Sequence, residues 1–248
     1  MMTSIDLNCD IGEGCGNDAE LMRHITSANI ACGFHAGNEA TMRRTVELAL
    51  GNGVAIGAHP GYRDRENFGR TEMAHSFGEI YDDVIEQILA LRNICNTLGG
   101  RLHHVKPHGA LYNQAAKDPE IARAIAEGIA AIDPTLVLYG LSGSHLISEA
   151  EKVGLQTASE VFADRTYQND GTLTPRSQPN ALITETETSL TQVLDMVKYG
   201  RVRSTEATML AIKAETICIH GDGSNAVSFA GTIRERLNSE GIAVTAPN

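Results

Sequence analysis

Side chains able to move protons, bind anions or ligate a metal recur at one kind of place in this sequence, the end of a short apolar run. Asn8, Asp10 and Glu13 close "SIDLNCDI" and its turn, His35 follows "ANIACG", and His59 ends "VAIGAH". Lys106 and His108 flank the proline of "RLHHVKPH". Glu160 lies near the end of "LQTASEVF", with Asp164 and Arg165 just beyond, and His220 and Asp222 end "TICIHGDG". Three chemistries fit these types. Asp10, Glu13 and a histidine could form an acid–base site, with lysine or arginine neutralising an anion. Asp10, His35 and His59 could hold a divalent metal, since neutral imidazole with carboxylate suits zinc and similar ions; no HExxH pair supports it. The third reading makes the histidines structural, hydrogen-bonded inside the fold.

The elements that must position these residues are β–α units. Strand candidates are 4–11, 28–33, 54–59, 101–106, 135–141, 155–162 and 216–221, with a last short run at 242–246. Between them lie amphipathic runs: Ile80, Val84, Ile88, Leu91 and Cys95 form one helical stripe, and Ile121, Ile125, Gly128 and Ile132 another. Asp118-Pro119-Glu120 is a helix start, and Gly53, Gly100, Gly154 and Gly241 suit helix ends that lead into strands. Seven or eight such units without a linker predict a parallel β/α barrel in a single domain over 1–248, with an open doubly wound sheet as the alternative. In a barrel the C-terminal rim of the strands holds the active site.

Side chains alternate faces along a strand. With the apolar set towards the helices, Asn8, Asp10, His59, His104, Lys106 and His220 face the lumen, and His103 faces the helices. Pro107 ends the strand at Lys106. Two loops, 60–76 and 163–182, exceed ordinary connectors and carry Arg63, Arg65, Arg70, Arg165 and Arg176, which could engage a carboxylate or phosphate. "HGDGSN" (220–225) leads into the last long helix, where backbone amides could receive phosphate.

The 248 residues carry a formal net charge of −11, which argues against nucleic-acid or anionic-membrane partners. Five cysteines without a CxxC pair read as reduced thiols, and with no signal-like N-terminus and no long apolar run the chain reads as soluble and cytoplasmic.

The blocks "DLNCDIGEG", "SANIACGFHAG", "GVAIGAHPGY", "DRENFGR", "HVKPHGALYNQAA", "EVFADRTYQ" and "CIHGDG" occur in order along the chain. Together they resemble the LamB/YcsF family, with Asn38 standing where such sequences often carry an acid. The resemblance implies an irregular seven-stranded (β/α) barrel of the glycoside hydrolase/deacetylase type. It also implies ATP-dependent ring opening of 5-oxo-L-proline to L-glutamate, performed with B and C partner subunits. On that reading Asp10 or Glu13 is the base, and His59 and His220 carry protons. Asn8, His35, His104, Lys106, His108, Asn113, Glu160 and Arg165 bind substrate, and Gly221, Asp222 and Gly223 receive phosphate. A metal-dependent amidase or deacetylase, and a binding subunit whose chemistry is completed on its partners, are the alternatives.

Overall fold

The computed structural model describes residues 4–219 and 226–247. In chain order the strands are β1 (Ser4–Ile11), β2 (Ser27–Ala31), β3 (Ala55–His59), β4 (His104–Val105), β5 (Val137–Leu141) and β6 (Gln156–Phe162), then β7 (Arg201–Arg203), β8 (Met209–Ala211), β9 (Thr216–Ile219) and β10 (Ala243–Val244). The helices are α1 (Asp18–Leu21), α2 (Glu39–Asn52), α3 (Phe77–Thr97), α4 (Gly109–Lys117), α5 (Pro119–Ile132), α6 (His145–Lys152), α7 (Thr186–Tyr199) and α8 (Ala226–Ser239).

Strands β1 to β6 and β9 pair in parallel, and β9 pairs with both β6 and β1, so seven strands close a barrel. The irregular β/α barrel expected from the sequence is the architecture found. Leu7, Cys9, Ile30, Ala58, Val105, Ile217 and Ile219 are buried, and helices wrap the outside. Asn8, Asp10, His104 and Lys106 turn into the lumen, as period two requires. Gly57 sits opposite His104, where a Cβ would come within 2.1 Å of the imidazole. The histidine fits only beside a glycine.

All five residues of the α3 stripe are buried, and Ser76 with Glu79 forms a capping box at its start. Asp118 caps α5, as expected, and Asn38 caps α2 through the Thr41 amide. The turn before β4 differs from expectation in one detail. Gly99 takes the left-handed conformation (φ 78°), while Gly100 packs against Cys95 and Leu50. β4 is also shorter than its apolar run, at two residues; at its C-terminal end Pro107 lacks an N–H to donate to the ladder. His103 does not face a helix; its Nε2 meets the Pro247 carbonyl at 3.0 Å. The antiparallel β7–β8 hairpin, absent from the sequence reading, lies between the sixth and seventh barrel strands.

Candidate active site

The floor of the barrel mouth is built around Lys106. Its Nζ lies 2.9 Å from Asp10 Oδ1, 2.8 Å from Glu160 Oε1, 3.1 Å from Asn8 Oδ1 and 3.0 Å from Cys218 Sγ. Burial alone would favour the neutral amine, but the nearby carboxylates reverse that and hold the ammonium well above its usual range. Asn29 ties the network together by donating to both Asn8 Oδ1 and Asp10 Oδ1 at 2.8 Å. Below it, His104 donates to Asn29 Oδ1 and stacks on Tyr139. Burial pushes His104 well below its usual value, so the ring is neutral.

Beside Lys106 a second group combines three loops and a strand end. His59 ends β3, His108 precedes α4, His35 follows β2 and Glu13 follows β1. His59 Nε2 lies 2.9 Å from His108 Nδ1 and 3.3 Å from Asp10 Oδ2. Glu13 Oε1 lies 3.2 Å from His35 Nε2, 3.4 Å from His108 Nδ1 and 3.8 Å from His59 Nε2. The His35 and His108 rings stack in parallel at 3.8 Å. Burial drives His35 down to about 2 and His108 well below its usual value. Burial also opposes charge on His59, but Asp10 outweighs it and holds that imidazole above its ordinary value.

A cavity of about 380 Å³ opens over these groups. Asp10, Glu13, His59, Lys106 and His108 line its floor, and Arg70, Lys117 and Arg176 line its wall and rim. The arrangement supplies a carboxylate beside a buried cation, a run of imidazoles able to pass protons, and cations for an anionic ligand. Glu13, His35, His59 and His108 also place their donor atoms within 4.8 Å of one another, a spacing that fits a metal ion.

The model of the LamB/YcsF family matches residues 5–248. The chain belongs to the LamB/YcsF family. It is 56% identical to the 5-oxoprolinase A subunit of Brevibacillus brevis, over 99% of this chain and 98% of that protein. It is 53% identical to the 5-oxoprolinase A subunit of Bacillus subtilis, over 99% and 97%. The crystal structure of the lactam utilization protein from Thermus thermophilus superposes with a TM-score of 0.92 at 44% identity, covering 99% of this chain and all of that one. Peptidoglycan deacetylase PdaC from Bacillus subtilis (TM-score 0.51, 12% identity, 99% and 88% covered) shares the fold alone.

In this LamB/YcsF protein the residues expected from the sequence fall into three groups. Asp10, Glu13, His59, Lys106, His108, Asn113 and Arg165 line the cavity. Asn8, His104 and Glu160 are fully buried beneath it and His35 is buried behind it. His220, Gly221, Asp222 and Gly223 lie outside the described residues. Two expected roles change. The sequence reading has Lys106 awaiting a substrate anion, yet Asp10 and Glu160 already supply its counter-charges. It has Arg165 gripping substrate, yet the guanidinium donates to the Thr174 and Ala181 carbonyls and pins the 163–182 loop; burial lowers it to about 10. Of the metal candidates, His35 and His59 stay in the donor group, while Asp10 is replaced by Glu13 and His108. Sequence reasoning missed Asn29, Thr216 and Cys218 in the lumen. Alternation could have found Asn29, which sits between Ala28 and Ile30.

Proposed function

We propose that this chain is the A component of a 5-oxoprolinase, opening 5-oxo-L-proline to L-glutamate with ATP and with B and C partner subunits. The observation that carries the reading is 53–56% identity, over nearly the whole chain, to proteins named as the A subunit of 5-oxoprolinase. The cavity suits it in size and polarity. A five-membered lactam bearing one carboxylate is small, and Arg70, Lys117 and Arg176 offer cations at the rim for that carboxylate.

A lactam carbonyl is a poor electrophile. ATP would phosphorylate the amide oxygen, a first water would add to the activated carbon, C–N cleavage would leave a glutamyl phosphate, and a second water would hydrolyse that acyl phosphate to glutamate and phosphate. Asp10 is the base for the first water. Lys106 and Asn29 donate to its Oδ1, which fixes the carboxylate at the cavity floor. Asp10, once protonated, returns that proton towards the leaving nitrogen. ATP use makes this a cytoplasmic reaction, and the barrel acts as one domain.

Reconstitution tests the reading: the chain is mixed with B and C subunits, ATP and 5-oxoproline, and glutamate is measured. Glutamate should form only when this chain and ATP are both present. The same rate without the chain would overturn the assignment.

A further inference from the structure

Two imidazoles at the barrel mouth face each other with their hydrogens already assigned by what lies behind them. His59 Nδ1 is 2.7 Å from the Lys106 carbonyl, and His108 Nε2 is 2.8 Å from the Phe68 carbonyl. A carbonyl only accepts, so each of these nitrogens carries the hydrogen. In neutral rings the lone pairs then sit on His59 Nε2 and His108 Nδ1, which point at each other across 2.9 Å. Glu13 Oε1 joins them at 3.8 and 3.4 Å, and its own orientation is set by His35 Nε2 at 3.2 Å. Three electron-pair donors converge on one point, a spacing that suits a shared cation.

We propose that Glu13, His59 and His108 ligate one divalent transition-metal ion of the zinc type, with His35 orienting Glu13 and the fourth position open to the cavity. The donor spacings of 2.9, 3.4 and 3.8 Å bracket the roughly 3.3 Å between two ligands of a tetrahedral zinc with bonds of about 2.0–2.1 Å. A ligating histidine characteristically donates its other N–H to a carbonyl or carboxylate, as both rings do here. A single proton between the rings would serve two of the three donors; a metal serves all three. Two imidazoles, one carboxylate and an open position make the donor set of a catalytic rather than a structural zinc site.

The surrounding backbone makes room for this group. A Cβ on Gly69, which has a φ of +65°, would lie 2.9 Å from His108 Cδ2 and 2.8 Å from His35 Cβ. A Cβ on Gly61 would lie 2.8 Å from His35 Nδ1. Both glycines of "HPGY" and "NFGR" are therefore needed to let the imidazoles pack around one point. A bound ion would act there as a Lewis acid towards an oxygen in the cavity. The assignment rests on donor geometry alone, so it can fail while the lactam-opening reading stands, and the reverse.

The test uses the full-length chain stripped of metal with a chelator and titrated with Co²⁺, then Zn²⁺, without substrate. One equivalent of Co²⁺ should bind and give visible d–d absorption, and Zn²⁺ should displace it. Glu13→Gln, His59→Ala and His108→Ala should each weaken binding at least tenfold, and His35→Ala about tenfold through the orientation of Glu13. Circular dichroism checks that each variant folds; if an alanine variant does not, the near-isosteric Glu13→Gln decides. Absence of stoichiometric Co²⁺ binding would overturn the proposal. So would equal affinity in Glu13→Gln and the parent, which would mark an adventitious ion only.

Discussion

Lys106 sits between two carboxylates in a lumen that leaves its side chain 3% exposed. Taking such a charge out of water is costly, and Asp10 and Glu160 offset the cost only while all three remain charged and hydrogen-bonded. Lys106→Met should therefore lower unfolding free energy by about 3–5 kcal/mol, because two buried carboxylates lose their cation; urea denaturation followed by circular dichroism measures it. Asp6, deeper in the barrel, makes the opposite case. Burial raises its pKa from 3.8, against hydrogen bonds from Thr216, Thr26 and Ser27 that lower it. A raised carboxyl pKa favours the protonated form in the folded state. Its stabilisation is full below 3.8 and is lost as pH rises through the folded value. Asp6→Asn stays neutral throughout, so its stability relative to the parent should improve from pH 4 to pH 7. Denaturation at both pH values reads this out, and a difference that moves the other way contradicts the burial argument.

The elements divide according to how strongly local sequence specifies them. The strand at 4–11 is legible to the residue, since Leu7 and Cys9 alternate with Asn8 and Asp10 and one face is wholly apolar. α3 and α5 are legible from their stripes and caps. The β7–β8 hairpin is not: its strands are three residues each, and a single inward residue in each, Val202 and Leu210, is too little alternation to register as a strand. The convergence at the barrel mouth is legible by strand position, but the partners are not. Nothing in the spacing of Glu13 and His108 says that they meet, because the segments after β1 and β4 bring them together. The 163–182 loop shows the same limit. Its arginine content suggests ligand binding, whereas Arg165, though it lines the cavity, donates to two carbonyls of its own loop. Bonds to a charged donor are worth about 1.5–3 kcal/mol each, so Arg165→Ala should loosen this segment. Hydrogen exchange over 166–182 should quicken, and KM for the small ligand should rise more than kcat falls. Unchanged exchange would show that the loop is held elsewhere.

At the scale of the molecule, closure of β9 onto β1 brings the first and last barrel strands together, so that residues on or just beyond β1, β4, β6 and β9 share one floor. A net charge of −11 coexists with a mouth that gathers Arg70, Lys117 and Arg176, a local field able to draw in a small anion against an acidic surface. Among the described residues no helix is long and apolar enough to cross a membrane. If the barrel mouth opens the lactam with Asp10 as base, removing that carboxylate's charge must slow ring opening. The most direct measurement is glutamate formation from 5-oxoproline and ATP by the chain mixed with 5-oxoprolinase B and C subunits, comparing the parent with Asp10→Asn. Turnover should fall by about 10²–10⁴-fold, the usual contribution of a general base, with folding and assembly of the complex intact. Unchanged turnover in a folded, assembled Asp10→Asn complex would contradict that role of Asp10.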